Sequence, residues 1–290
     1  MDIENVKQKY RALDMELTGS QNLSDTLAML YHENSKVNKS ISRRQFPQIK
    51  LFSNPFVIKK ASKPYKNYFS EKTYALDIYK GTSPKRDFFE IIRSRHSSRK
   101  FLKSYKISLM ELQKILYCSY GITSTSQMNG EESSTWSKRH VPSAGGLYPL
   151  EIYVVIINGA IEQGVYHYNS GNNSLALIKE GDFTEYLKEY SGSNNWIDLD
   201  TVSCLIMTSS ILERQIIKYG ERAYRFVLME TGFVAQNMSL VCESLDLGSC
   251  MLGFFYDDKL NELLGINGFG ETVQNVLVVG KEERESEKAE

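Results

Sequence analysis

The sequence predicts an α+β fold, with helices wrapped on a mostly antiparallel central sheet, and three observations carry that prediction. Ala223, Phe226, Val227, Glu230, Val234, Asn237, Val241 and Leu245 recur at spacings of three and four, which marks one long amphipathic helix ending near Gly248. The runs V-Y-H-Y and L-A-L-I flank the turn S-G-N-N, and two short strands around such a turn form a hairpin. Strand and helix patterns then alternate to the end: S-C-M-L-G-F-F as strand, D-D-K-L-N-E-L-L as helix, and V-Q-N-V-L-V-V-G as the last strand. Hairpins with helices on their faces define the class.

The remaining elements follow in chain order. Val6, Tyr10, Leu13 and Leu17 predict a first helix, and a second opens at Ser24 and runs through Leu27, Leu30 and Tyr31. Residues 36–85 carry Pro47, Pro55, Pro64 and Pro84 among lysines and read as an extended, irregular arm. F-F-E-I-I-R after Asp87 and the stretch Leu109 to Tyr120 are helical, while 121–141 reads as a polar loop. E-I-Y-V-V-I-I is a strand, Phe183 to Tyr190 a helix and C-L-I-M-T a strand.

Composition narrows the function. The 290 residues carry 35 basic and 35 acidic side chains, a net charge of zero that excludes a nucleic-acid coat or an anionic-membrane binder. The zero is a cancellation: Lys36 to Lys106 holds 19 basic and four acidic groups, and the rest of the chain is correspondingly acidic. Cys118, Cys204, Cys242 and Cys250 lack C-x-x-C spacing, the polar start cannot serve as a secretory signal, and no apolar run approaches the roughly 18 residues of a membrane span. A cytoplasmic protein with reduced cysteines is expected. The histidines show no zinc-ligand spacing, so no metal is expected.

Three stretches could carry chemistry. Arg93, Arg95, His96, Ser97 and Arg99 concentrate guanidinium forks and a hydroxyl suited to a phosphate, against the plain alternative of a solvated basic face. Pro142, Ser143, Ala144, Gly145 and Gly146 precede a strand, where paired glycines permit a sharp turn or close approach to a flat ligand. Lys218 and Tyr219 can supply a proton acceptor and a donor if burial shifts their pKa values, against an ordinary helix start. Gly232 inside the long helix marks close packing against something flat or a second copy. No G-x-G-x-x-G occurs, which argues against a Rossmann domain.

Taken in order, R-H-S-S-R, P-S-A-G-G-L-Y-P, K-Y-G-E-R-A-Y-R-F-V-L-M-E-T-G-F-V-A-Q-N and L-G-S-C-M-L-G-F-F resemble the nitroreductase-like flavoproteins, more closely their SagB-type azoline dehydrogenases, over roughly residues 25–281. The resemblance implies an intertwined homodimer with FMN at its interface. By that resemblance Arg95 and Ser97 hold the FMN phosphate, with His96 between them also counted as cofactor-binding, Arg99 lies near the N1 and C2 carbonyl side, Pro142 to Gly146 along the ring, Leu252 and Gly253 at its other side, and Lys281 is a further phosphate contact. It makes Lys218 and Tyr219 the catalytic pair, a peptide thiazoline or oxazoline the substrate, and dioxygen the final acceptor. It also implies a precursor peptide and a cyclodehydratase complex as partners.

The expected organisation is a helical extension and basic arm over 1–86, an FMN domain over 87–281 and a charged tail over 282–290. Two alternatives stand beside this reading: a stand-alone NAD(P)H-dependent nitroreductase or quinone reductase, and a non-catalytic scaffold subunit of a peptide-modifying complex.

Overall fold

Seven strands form one sheet in a computed structural model that describes residues 26–37, 47–76, 86–127, 135–193 and 196–283. They are β1 (Thr73–Ala75), β4 (Leu150–Ile156), β5 (Gly164–Asn169), β6 (Ser174–Glu180), β7 (Cys204–Ile211), β8 (Gly248–Leu252) and β9 (Glu271–Gly280), in the order β1-β6-β5-β4-β7-β9-β8. Every neighbouring pair is antiparallel. The predicted hairpin is β5–β6, in register from Asn169↔Ser174.

Successive side chains of a strand point to opposite faces, and β4 serves a separate core on each. Ile152, Val154 and Ile156 pack with Ile206 and Leu277 beneath Leu112, Ile115 and Leu116 of α4 (Leu109–Tyr120) and Val227, Val234 and Met238 of α7 (Ala223–Ser244). Tyr153 and Val155 pack on the other face with Leu205, Met207 and Val276, under Leu187 of α5 (Thr184–Tyr190) and Leu260 and Leu263 of α8 (Asp257–Leu264). Burial on both faces explains why β4 reads as a continuous apolar run. The start of α4 is fixed by a capping box, with Ser108 Oγ accepting from the Glu111 amide and Glu111 accepting from the Ser108 amide.

Four local expectations are corrected. The polar stretch 121–141 contains a second sheet, β2 (Ile122–Gln127) paired with β3 (Thr135–Arg139); its Thr and Ser residues suit strands but lack the apolar alternation that announces one. The irregular arm holds α2 (Pro55–Ala61), capped by the Asn54 side chain, and β1. The helix expected from Ser24 is α1 (Leu27–Asn34), capped by Thr26. A short helix, α6 (Glu213–Tyr219), stands between β7 and α7 where no separate element was expected. The helix at Asp87 is α3 (Phe88–Ser94), capped by Asp87. The helix expected at Val6 to Leu17 lies outside the described residues.

Nor does the arm stand apart from the sheet. Beyond α2, the Pro64 carbonyl accepts from Arg139 Nη2 (2.8 Å) and Arg214 Nη1 (3.3 Å). The Lys66 amide donates to Glu151 Oε1 (3.0 Å), and its ammonium reaches Glu271 Oε2 (2.8 Å), the Tyr153 hydroxyl (2.9 Å) and the Tyr68 hydroxyl (2.5 Å). Glu151 is fully buried, held also by His167 Nε2 (2.7 Å) and Arg214 Nη2 (2.6 Å). Burial alone would raise its pKa, but His167 and Arg214 hold the carboxyl below its usual range. Lys66 shows the reverse contest: burial opposes its charge, while the Glu271 and Tyr68 hydrogen bonds raise its pKa above the usual value.

Removing one partner of such a pair strands the other. Glu271→Ala takes the acceptor from Lys66, Tyr153 and Ser209, whose hydroxyl lies 2.7 Å from Glu271 Oε1. The expected loss is about 3 kcal/mol, the low end for a broken buried pair because Lys66 keeps some solvent. It would be read as a lower urea midpoint at unchanged slope.

Candidate active site

The P-S-A-G-G turn and the Lys218–Tyr219 pair meet at the end of the sheet where β4 begins and β7 ends. Leu212 leaves β7 with its amide on the Gly270 carbonyl (3.1 Å), and α6 follows, with Glu213 in its first turn and Lys218 in its last, as the helix dipole favours. Gly220 ends it at φ 54, in the left-handed region that favours glycine. Lys218 and Tyr219 therefore project from the last turn of a short, separate helix, rather than from the start of the long one. One turn earlier, buried Gln215 donates through Nε2 to the Ala144 carbonyl (3.2 Å) and ties α6 to the glycine turn.

Both glycines of the turn have φ +66. Their missing side chains leave space that the chain itself uses. A Cβ on Gly145 would lie 2.5 Å from the Tyr219 hydroxyl and 2.8 Å from Lys218 Nζ; one on Gly146 would lie 2.4 Å from Trp136 Nε1. The positive φ values make the sharp turn that paired glycines permit, and the space on this side of it is occupied by Lys218, Tyr219 and Trp136. The turn is braced by the Gly146 amide on the Ser143 carbonyl (3.0 Å) and the Tyr148 amide on Ser143 Oγ (2.9 Å). Burial lowers the Lys218 pKa from that of a free lysine and raises that of Tyr219, so the amine is pushed towards its neutral form while the phenol keeps its proton.

Under the turn lies a second polar cluster. Glu230 of α7 is 1% exposed and accepts from the Tyr120 hydroxyl (3.0 Å). Its Oε2 has no well-formed hydrogen bond among the described residues. Burial pushes its pKa up to about 7, against the opposing pull of the Ser143 and Tyr120 hydroxyls and the Arg139 and Arg214 charges. The Arg139 guanidinium stacks 4.1 Å from the Tyr120 ring centroid and 4.9 Å from that of Tyr148.

The cation cluster is elsewhere. Arg95 is the residue at which α3 ends, and the following segment runs beside β8 and the end of β9, with the Ser98 amide on the Ser249 carbonyl (3.0 Å) and Leu102 on that of Lys281 (2.9 Å). Burial raises the pKa of the Cys250 thiol, against the opposing pull of the nearby Arg99 charge and Ser97 hydroxyl. A Cβ on Gly248 would meet Ser98 Cβ at 2.7 Å, which is why β8 can lie so close. Arg99 also borders an open cavity with Phe101, Trp196 and Asp198. Among the described residues Arg95, Arg99 and Lys281 form no salt bridge, whereas Arg86 nearby is held by Glu243 and Asp246. His96 is already committed: Nδ1 faces the Ser94 carbonyl (2.9 Å) and Nε2 faces Glu282 (2.7 Å), contacts that raise its pKa. Leu252 is buried at the end of β8, and exposed Gly253 has no neighbour within 4 Å of where its Cβ would stand.

The candidates therefore fall into two groups. Pro142, Ser143, Ala144, Gly145, Gly146, Lys218 and Tyr219 gather where β4 begins. Arg95, His96, Ser97, Arg99 and Lys281 gather where β9 ends, with Leu252 and Gly253 farther along β8, opposite Val276 of β9. Sequence reading missed Trp136, Gln215, Glu230 and Phe52, whose ring lies 4.7 Å from Lys218 Nζ. Glu230 had a signal, an acid inside a mostly apolar stripe. Phe52 and Trp136 had none, since each reaches the site from a segment with no motif. No group of three potential metal ligands stands together among the described residues, and no described helix is long and apolar enough to cross a membrane.

With fold and site in hand, the chain can be placed among known proteins. It belongs to the nitroreductase family, whose pattern matches residues 92–281, and is by family an oxidoreductase. A Methanocaldococcus jannaschii protein that carries the name nitroreductase is 33% identical over 181 residues, 62% of this chain and 85% of its own length. The microcin B17-processing protein McbC of Escherichia coli is 23% identical over 58% of this chain, and the trifolitoxin-processing protein TfxB of Rhizobium leguminosarum 26% over 58%. The matched parts are 60% and 46% of those two proteins. Among solved structures, a nitroreductase-type chain from Anabaena variabilis superposes with a TM-score of 0.68 at 26% identity, over 88% of this chain and 46% of that one. A chain of the E. coli microcin synthetase McbBCD complex, solved with truncated pro-MccB17 bound, superposes at 0.56 and 19% identity, over 90% of this chain and 100% of its own.

The buried acid gives a pH signature. Between its unfolded value of 4.5 and its folded value of about 7, Glu230 holds a proton that the unfolded chain has released. Its contribution to stability is full below the lower value and is lost as pH rises through the upper one. Glu230→Gln is expected to remove one proton's worth of slope from the urea midpoint plotted against pH in that window. A variant curve parallel to the parent's would place the titration on another group.

Proposed function

We propose that this protein is an FMN-dependent dehydrogenase that oxidises thiazolines or oxazolines in a ribosomally made peptide to thiazoles or oxazoles. The observation that carries this reading is the packing of Lys218 and Tyr219 into the space left by Gly145, which joins a proton acceptor and a proton donor to the turn expected beside the flavin. The names of the microcin- and trifolitoxin-processing relatives support the peptide substrate.

The donor set fits the cofactor. Arg95 and Arg99 flank the exposed Ser97 on one segment, and Lys281 follows the adjoining end of β9; the three cations have no carboxylate partner among the described residues, and with the hydroxyl they offer the chemistry that a phosphate monoester needs. In this reading Arg95, Ser97 and Lys281 hold the phosphate, while Arg99, Leu252 and Gly253 border the ring. His96 orders the segment through Glu282 instead of binding. FMN, when bound, supplies the acceptor for the hydride.

The chain's own residues handle the proton. Aromatising the azoline breaks a ring C–H bond whose proton must go to a base, and the lowered pKa of Lys218 makes neutral amine available for it. Tyr219, protonated at the same edge of the turn, orients the ring and relays the proton. Trp136 at Gly146 and Gln215 on Ala144 hold the turn against which both groups rest.

Two features support assembly as a homodimer. The two groups of site residues lie at opposite ends of the sheet, and β9 alone runs ten residues, about 30 Å, so a site that uses both draws them from two copies. Tyr224, Leu228, Met229 and Phe233 leave an apolar side of α7 exposed, and a Cβ on Gly232 would touch nothing within 4 Å. A cyclodehydratase that delivers the azoline completes the proposal. The Methanocaldococcus match favours the second reading, a nitroreductase or quinone reductase, which uses the cation cluster but not Lys218.

Lys218→Ala separates the two. Azole formation, followed as the loss of two hydrogens per ring in the mass of an azoline-bearing peptide, is expected to fall about 10²–10⁴-fold while the flavin absorption is retained. A variant that oxidises the peptide at the parent rate would exclude Lys218 as the base.

A further inference from the structure

The site includes a residue that neither motif contains. Lys218 Nζ lies 4.7 Å from the ring centroid of Phe52, closer than to the ring of its neighbour Tyr219 (5.5 Å). Phe52 belongs to the arm, in the turn after helix 47–51, with its amide on the Ile49 carbonyl (3.1 Å), and α2 follows. The contact spans 166 residues of sequence, so nothing local enforces it. What enforces it is the fastening of the arm twelve residues on, where Pro64 accepts from Arg214. Arg214 and Lys218 are four residues apart on α6, one turn of the same helix. The arm thus lies along α6 and touches it twice, at Arg214 through a carbonyl and at Lys218 through an aromatic ring.

We propose that Phe52 is a positioning residue of the reacting centre: its ring displaces water from the Lys218 amine and holds that amine against the Gly145 turn, so that the arm forms one wall of the active site. The proposal rests on the reading of Lys218 as the base. Three elements pack on Lys218: the arm through Phe52, the turn through Gly145, and its own helix through Tyr219. Tyr219 is the titratable group among them. No charged side chain of the described residues perturbs Lys218, and burial is the whole cause of its lowered pKa. A ring face offers weak cation attraction in place of a hydration shell, so covering the amine with Phe52 favours the neutral form that accepts a proton. Ile49, Leu51 and Phe56 lie exposed on the same segment of the arm.

The test reads Lys218 itself. Full-length protein with FMN bound is labelled with trace acetic anhydride across a pH series, and acetylation of the Lys218 peptide is followed by mass spectrometry. In Phe52→Ala the labelling midpoint is expected to move up towards the range of solvent-exposed lysines, and the acid limb of the dehydrogenase pH profile to move up with it. Phe52→Leu keeps an apolar cover and guards against a folding artefact; its midpoint is expected to stay at or below the parent's. A Phe52→Ala midpoint equal to the parent's would overturn the proposal, as would a Leu variant whose midpoint climbs with that of the Ala variant. If Lys218→Ala keeps the dehydrogenase rate, the catalytic reading falls on its own, while the labelling midpoints still decide whether Phe52 covers the amine.

Discussion

Everything near the candidate site hangs on the burial of Glu151. A carboxylate with almost no exposure, in the middle strand of a sheet covered on both faces, has to be neutralised, and the groups that do so come from separate parts of the chain. His167 comes from β5, Arg214 from α6 and the Lys66 amide from the arm. That one charge fixes where α6 sits on the sheet and obliges the arm to cross it. Lys66 then continues the chain of contacts to Tyr153 and Glu271, so that the arm, β4 and β9 share one polar seam through a mostly apolar interior.

The site is built on that frame by subtraction. Two adjacent glycines in a left-handed conformation leave hollows, and neighbours at once fill them: the Lys218–Tyr219 pair on one side, Trp136 on the other. Filling by the chain's own side chains gives pre-organisation, because each occupant is held by packing before a ligand arrives. Below, Glu230 sits beneath a turn whose Ser143 already accepts the Tyr148 amide, so the underside of the site is polar while its outer wall, at Phe52, is aromatic.

How much of this was legible in the sequence depends on whether the cause was local. The stripe of α7, the β5–β6 hairpin and the alternation after Gly248 are periodic signals, and each returned as an element close to its expected limits. The β2–β3 hairpin was not legible, because Thr and Ser strands over a small separate sheet carry no hydrophobic rhythm. The paired glycines announced a sharp turn, which their positive φ values show, but not what packs against it, since the packing of Trp136 and Lys218 is set by tertiary contacts. The basic stretch and the acidic remainder meet in part as ion pairs: Lys66, Lys72 and Arg86 contact Glu271, Glu180 and Glu243.

The crossing arm also separates two kinds of boundary. The family pattern begins at residue 92. Thr73–Ala75 nevertheless supplies the outermost strand of the sheet, and Lys66, half-buried on the other side of that line, reaches Glu271 of β9. A fragment cut at the homology limit would expose the β6 edge and leave the carboxylates of β4 and β9 without a cation that the intact chain supplies. The residue pattern that marks the family is therefore shorter than the unit that must fold as one, because the arm contributes backbone pairing and buried contacts.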